Sequence, residues 1–492
     1  MARTFLNYID GKWAPPRSDT LFQRENPATG ETIGDFPDSG PADVADAVAA
    51  AAAAWDGWRS TPAPRRAEVL FRAAEMMLAR KEELSRDVTI EMGKVLKEAR
   101  GDVQEAIDMT YYAAGEGRRM FGHTTPAELP DKFAMAVRQP HGVVAAITPW
   151  NFPLAIPCWK LMPALITGNT AVFKPSPYSP LSAHNLMRIL EEAGLPPGVA
   201  NLVFGEDPTG AALVEDPRVA MVSFTGSLEV GREIAAYCGR NGKRVHLEMG
   251  GKNAIIVLDD AALDLAIEGA VWSAFGTTGQ RCTAASRMIV QKSLVSSFTD
   301  RLVARASALR LGNGLDAATE MGPVVNRPQL QKIEQYMDIG RDEGAAVACG
   351  GRRAGGDGLD RGYFFQPTVF TEVQPRMRIA QEEIFGPVTD VITCADLEQA
   401  VAINNDVPYG LVASIYTRDV SKAFRALERI TTGMVYVNAG TIGAEVHRPF
   451  GGTRGTGNGH REAGLAALDS YTEWKTVYID YSGRLQKAQI DR

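Results

Sequence analysis

Disulfide frameworks, zinc sites, membrane spans and nucleic-acid surfaces each need residues that this chain has too few of or scatters too widely. Its five cysteines (158, 238, 282, 349 and 394) are odd in number, and no Cys-x-x-Cys occurs. Its six histidines do not cluster with them. A disulfide framework or a zinc site is therefore not expected, and a reducing cytoplasm fits. The first seven residues, Met1-Ala2-Arg3-Thr4-Phe5-Leu6-Asn7, contain no apolar secretory core. No apolar run is long enough to span a bilayer, so no membrane partner is expected. Net charge is −7 with a sequence pI near 5.6, and no basic tract occurs, which argues against a nucleic-acid partner. No internal repeat is visible. No Gly-x-Gly-x-x-Gly stands at a strand-to-helix turn, so the usual dinucleotide fingerprint is missing.

What is present is an ordinary globular chain. Its 492 residues are 45% hydrophobic and 23% charged, enough for two or three domains with sizeable cores. Residues 8–38 read as hairpin material broken by turn residues. Residues 41–55, 65–77 and 81–121 carry helical spacing of apolar residues. From Val143 short apolar runs alternate with helical stretches. Strands are expected at 143–147, 170–173, 200–203, 221–224, 245–247 and 254–258, with helices such as 181–193 and 228–237 between them. Such alternation predicts a doubly wound parallel sheet, which binds ligands at the carboxyl ends of its strands. After Asp260 a second α/β unit runs to about Glu428, including a helical run over 261–275 and a strand at 288–291. The glycine-rich 350–356 is too irregular for a phosphate loop. The tail 471–478 reads as a strand.

The chemistry centres on Gly279-Gln280-Arg281-Cys282-Thr283. A lone cysteine is usually a small buried hydrophobe. Only its thiolate is a strong nucleophile, and Arg281 beside it is expected to lower the thiol pKa. Other sequences give this one company. Glu248 lies in Leu247-Glu248-Met249-Gly250-Gly251-Lys252, and Asn151 in Thr148-Pro149-Trp150-Asn151-Phe152-Pro153. Glu383 and Phe385 lie in Gln381-Glu382-Glu383-Ile384-Phe385-Gly386-Pro387. Phe224-Thr225-Gly226-Ser227-Leu228-Glu229-Val230-Gly231 follows a strand and opens a helix, whose free amides and positive dipole end suit a phosphate. Lys174 follows a strand in Phe173-Lys174-Pro175-Ser176-Pro177, where a lysine can reach a ribose; a solvated surface lysine is the ordinary alternative.

Together these motifs resemble the aldehyde dehydrogenase superfamily, from Tyr8 to about Tyr478. The resemblance implies two doubly wound α/β domains with a small β oligomerisation arm. Residues 1–121 and 142–252 would form the cofactor domain and 253–440 the catalytic domain. Residues 122–141 and 470–492 would form the arm, leaving 441–469 as a late loop near the active site. It implies a homodimer or homotetramer, NAD or NADP as cofactor, and a small aldehyde as substrate. Cys282 would attack the carbonyl, giving a thiohemiacetal and then a thioester. Asn151 would donate to the oxyanion, Glu248 would activate water, and Lys160 would support proton transfer. Lys174, Ser176, Pro177, Gly226, Ser227, Gly231, Trp150, Ile147, Glu383 and Phe385 would hold the cofactor. Phe152, Trp159, Arg281, Thr283 and Phe450 would line the substrate tunnel.

Three departures and alternatives matter. Pro177 stands where many NAD-preferring members carry a glutamate, so nothing acidic there repels a 2′-phosphate. The Gly279 to Arg287 stretch resembles branches that oxidise α-ketoglutarate semialdehyde or α-aminoadipate semialdehyde. Arg281, His447 and Arg448 are the cations that would meet a carboxylate on such a substrate, unless Arg281 pairs with a neighbouring acid and Arg448 is solvated. The competing readings are a general aliphatic aldehyde dehydrogenase, a CoA-acylating semialdehyde dehydrogenase, and a structural protein on the same fold.

Overall fold

The computed structural model describes residues 3–487, 489 and 490. Its core is two seven-stranded sheets, with a small three-stranded sheet and a hairpin beside them. This is the expected α/β architecture of two doubly wound units.

In the first sheet the strands lie in the order Arg244–Glu248, Val219–Thr225, Val143–Ile147, Thr170–Lys174, Ala200–Leu202, Asn7–Ile9, Lys12–Ala14. The first five run parallel, and the two N-terminal strands close the edge antiparallel. Val143–Ile147 and Thr170–Lys174 are buried at every position. Both faces are covered by helices, which is why these strands read as continuous apolar runs. The chain builds outward from Val143–Ile147 to one side, then returns to place Val219–Thr225 on the other. Strand order therefore reverses between Ile147 and Thr225, and a crevice opens beyond their carboxyl ends.

The second sheet has the order Ala346–Cys349, Thr368–Thr371, Val388–Cys394, Ala285–Gln291, Asn253–Val257, Val412–Tyr416, Met434–Val437. All but Ala346–Cys349 are parallel to their neighbours. The last strand of the first sheet ends at Glu248 and the first strand of the second begins at Asn253. Four residues, Met249-Gly250-Gly251-Lys252, thus join the two sheets.

One expectation needs correction. Residues 81–121 form two helices, Lys81–Met92 and Leu96–Glu116. Gly93 ends the first with φ +91°, a left-handed cap that glycine adopts without strain. Lys94 then turns inward and pairs with Asp102 at 2.9 Å, both side chains fully buried. The tail strand is Thr472–Asp480, and it pairs antiparallel along its whole length with Lys132–Pro140 of the same chain.

Candidate active site

The crevice at the strand-order reversal is a cavity of about 440 Å³. Its floor is Ile147 to Trp150 after one strand and Thr225 to Ser227 after the other. Lys174, Ser176 and Pro177 form one wall. Lys174 is not a solvated lysine: it is 5% exposed, and burial pulls its pKa down to about 8. Its Nζ donates to the Pro175 carbonyl at 3.0 Å. Pro177 is fixed from behind, since its carbonyl accepts from the Arg24 guanidinium. Ser227 caps the helix Leu228–Arg240 by accepting from the Val230 amide at 3.3 Å.

The glycines here act by size. Gly226 has no left-handed φ; a Cβ on it would strike the Phe224 ring. Gly231 does not reach the cavity. It is buried in the helix Leu228–Arg240, and a Cβ there would collide with Met249, so it serves helix packing.

A second cavity of about 170 Å³ continues from the first through Pro149, Trp150 and Thr225 to Ser227. It brings Trp150, Asn151, Cys282, Glu383 and Phe385 together. Trp150 and Phe385 meet edge to face at 5.3 Å. Phe385 is held at φ +60°. Gln329 secures that bend by donating to the Ile384 and Phe385 carbonyls, both at 2.9 Å. The Gly251 amide donates to Glu383 at 2.8 Å, and a Cβ on Gly250 would collide with the same carboxylate. The Gly-Gly pair is thus the seat of the Glu383 side chain.

A third cavity of about 310 Å³ opens on the other side of Cys282. Phe152, Trp159, Phe450 and Trp272 give it aromatic walls, and Glu248, Thr283, Arg281 and Glu105 also line it. Trp159 meets Phe450 edge to face at 5.0 Å. Cys282 lines both this cavity and the second one.

Backbone strain sets the cysteine there. Thr277 and Thr278 sit at φ +52° and +58°, followed by Gly279 at +67°. Two β-branched residues in the left-handed region are held only by strong local contacts. Glu98 supplies one set, accepting from the Thr277 amide at 2.9 and 3.0 Å. Gln280 supplies another, accepting from the Val325 amide at 2.9 Å. Arg281 is part of the same brace. Its Nε donates to Thr277 Oγ1 at 2.8 Å, and its guanidinium lies 3.5 Å from Glu98. The expected lowering of the Cys282 pKa by Arg281 is overturned: burial, then Glu383, Glu248 and Glu105, push the thiol up to about 12.

Glu248 is 2% exposed, and neither carboxylate oxygen has a hydrogen-bond partner among the described residues. Burial and the nearby Glu462 hold its pKa well above the carboxylate range, against Lys160 and Arg461. Gly451 makes room for it; a Cβ there would stand 2.6 Å from Glu248 Oε1. Asn151 is 2% exposed, and its Oδ1 has no hydrogen-bond partner among the described residues. Lys160 is fully buried behind these groups, ion-paired with Glu462 and 3.2 Å from Ser223 Oγ.

A cysteine thiol, an amide side chain and a carboxyl without a hydrogen-bond partner among the described residues therefore converge where the crevice meets a tunnel. The aldehyde dehydrogenase family profile matches residues 13–477, nearly the whole of this site and its scaffold. The chain belongs to the aldehyde dehydrogenase family. It is an oxidoreductase acting on the aldehyde group. It is 43% identical over 482 residues to an α-ketoglutarate semialdehyde dehydrogenase of Haloferax volcanii, covering 96% of this chain and 99% of that one. It is 41% identical to a betaine aldehyde dehydrogenase of Rhizobium leguminosarum, covering 96% of each chain. The crystal structure of betaine aldehyde dehydrogenase from Staphylococcus aureus in complex with NAD+ superposes with a TM-score of 0.95 at 36% identity, covering 98% of this chain and 96% of that one.

In this aldehyde dehydrogenase only one of the three cations expected at the tunnel lines the Cys282 cavity. Arg281 does, while His447 is exposed and pairs with Glu445 at 3.2 Å. Arg448 lines an adjoining cavity of about 360 Å³ that shares Gly443, Ala444 and Phe450 with the tunnel. The sequence reading missed Glu105, Lys97 and Trp272 in the tunnel, and Asp207 in the first cavity. Glu98, Asp102 and Glu105 recur at helical spacing on one face of Leu96–Glu116, which is a signal that was there to read. Glu462 carries no motif that marks it.

Proposed function

We propose that this enzyme oxidises a carboxylate-bearing semialdehyde to the acid with NAD+, through Cys282, Asn151 and Glu248. The observation that carries the reading is the position of Cys282, shared by the cavity that holds Asn151 and the cavity that holds Glu248. The thiol sulfur adds to the aldehyde carbon, and its proton passes to a base. The Asn151 side-chain amide and the Cys282 backbone N–H donate to the oxyanion, one such donor contributing about 3–4 kcal/mol in the transition state. Collapse of the thiohemiacetal expels hydride and leaves a thioester. Glu248 then takes a proton from water, which attacks the thioester carbon and releases the acid.

The crevice residues fit a dinucleotide. Lys174 is buried yet faces the first cavity, and Glu383 and Phe385 line the second. Lys174, Ser176 and Ser227 would hold the adenosine and phosphate end, Trp150, Glu383 and Phe385 the nicotinamide end. When bound, NAD+ supplies the hydride acceptor. The NAD+ complex of the Staphylococcus aureus relative supports the choice of cofactor.

The carboxylate preference rests on Arg281 in the tunnel wall and on relatives named for α-ketoglutarate and glutarate semialdehydes. A second reading, a cationic aldehyde, is favoured by Glu105. It lines the same aromatic cavity, with its pKa raised to about 8 by burial and Asp102, and relatives named betaine aldehyde dehydrogenase share the fold. Kinetics on glutaric semialdehyde, pentanal and betaine aldehyde with NAD+ and NADP+ decide between them. Highest kcat/KM for glutaric semialdehyde is expected; highest for betaine aldehyde would give the tunnel to Glu105. Turnover that required CoA would overturn water as the acyl acceptor.

A further inference from the structure

His246 is fully buried on the strand Arg244–Glu248, two residues before Glu248 and so on the same face of it. Neither ring nitrogen has a hydrogen-bond partner among the described residues. Nε2 lies 3.5 Å from Glu248 Oε1. A buried imidazole without partners costs free energy unless it is used at some stage of the cycle. His246 lines neither cavity at Cys282, so it does not meet the substrate.

We propose that His246 is a positioning residue for the general base. As the neutral Nε2–H tautomer it donates to Glu248 Oε1 when that carboxyl ionises, which favours the charged form and turns the other oxygen toward the tunnel. The inference rests on Glu248 being the base. The surroundings select a neutral ring. Burial opposes protonation most, and Lys160 from the helix Ala155–Ile166, with His460 and Arg461 from the loop over the strand end, adds to it. His460 packs against His246 with ring centroids 5.4 Å apart. Glu248 is faced in turn by Glu462, Lys160 and Arg461, with Lys160 already ion-paired to Glu462. His246 Nε2, 3.5 Å from Oε1 and without a hydrogen-bond partner among the described residues, is an uncommitted donor beside the Glu248 carboxylate. The Ser223 and Tyr471 hydroxyls bond each other at 2.8 Å instead. A hydrogen bond that first forms as charge develops is long in the resting enzyme.

The sign of the effect follows. A donor to the carboxylate lowers the pKa of the base, so its loss moves the acid limb of the pH–rate profile upward. His246→Leu should raise the acid limb by about one pH unit and so slow acyl-enzyme hydrolysis about tenfold at pH values on that limb, a linked pair by the definition of a pKa. The first-turnover burst of NADH should be unchanged. His246→Gln places an amide N–H near Nε2 but cannot relay a proton, and it should restore hydrolysis to within about twofold of wild type. An unshifted profile in His246→Leu overturns the inference, and so does a glutamine variant as slow as the leucine one, since that requires a proton carrier. Nitrogen-15 histidine NMR of the wild type is independent of whether a variant folds. It should show His246 as the neutral Nε2–H tautomer from pH 6 to 9, and an Nδ1–H or imidazolium signature overturns the proposal. Glu248→Gln, run beside these, separates the two levels. If it turns over normally the base assignment fails; if it stalls while His246→Leu keeps its profile, only the role of His246 fails.

Discussion

The cofactor side of the site and the aldehyde side are built by different means. On the cofactor side, backbone turns at the carboxyl ends of parallel strands make the crevice, and small residues keep it open: Gly226 against Phe224, and Gly250 against Glu383. On the aldehyde side the walls are large side chains from distant segments, including the helix Leu96–Glu116 and the loop around Phe450. A fold that specifies strand ends specifies the first side almost automatically. The second can be refitted one side chain at a time, which is how one scaffold comes to serve relatives named for both carboxylate-bearing and cationic aldehydes.

Cys282 belongs to both sides, so its loss should be the most damaging and the least informative about either alone. Cys282→Ser is expected to abolish aldehyde oxidation while leaving NAD+ binding nearly intact, read by steady-state rates and cofactor fluorescence titration. A variant that kept more than a few per cent of activity would remove the thiol from the mechanism.

Glu248 tests the aldehyde side without touching the cofactor side. Glu248→Gln should give one burst of NADH and then stall at the thioester. In the wild type the base must be ionised, and burial raises its pKa. Hydrolysis should therefore fall as pH drops through a value above the ordinary carboxylate range, with the burst less affected. Simultaneous loss of burst and turnover in the glutamine variant would place Glu248 earlier, at ionisation of the thiol.

Substrate charge is the next lever, and it sharpens the contrast directly. A charge-assisted hydrogen bond contributes about 1.5–3 kcal/mol, so glutaric semialdehyde should exceed pentanal about ten- to a hundredfold in kcat/KM. Because Arg281 also braces the strained turn, Glu105→Gln is the cleaner variant; with the Glu105 pKa raised to about 8, it should widen the gap a few-fold above pH 8, where the carboxylate is ionised, and little at pH 7, mainly through KM. Equal efficiency for the two aldehydes would make this a general aliphatic enzyme.

The smallest effect is expected on the cofactor side. Pro177 offers no acid to a 2′-phosphate, so NADP+ should be accepted within about tenfold of NAD+, roughly 1.4 kcal/mol. Pro177→Glu should push the ratio toward NAD+. Strong rejection of NADP+ by the wild type would point to Asp207, which lines the same cavity.

The same division governs what could be read from residues alone. Every strand expected between 143 and 258 forms, most shifted by a residue or two at their ends, because two-sided burial writes itself as apolar runs. Lys174, Ser176, Pro177, Trp150 and Ser227 came to one crevice because each stands just past such a strand. The brace on Arg281 was not legible because its partner Glu98 lies far off in sequence, across the interior. His447 pairs instead with Glu445, two residues away at the surface. The left-handed Thr277 and Thr278 announce nothing in sequence, since threonine is among the last residues expected there. Gly93 did carry a signal, a glycine late in a helical pattern, and the reading passed over it.

One feature reaches beyond turnover. With its pKa near 12, the Cys282 thiol is almost entirely protonated at neutral pH. Peroxides and electrophiles attack thiolates far faster than thiols. A sulfur placed at the junction of two open cavities would otherwise be the first casualty of oxidative stress. Burial, with Glu383, Glu248 and Glu105 adding to it, thus gives the idle enzyme a chemical shelf life, keeping its most vulnerable atom unreactive between encounters with substrate.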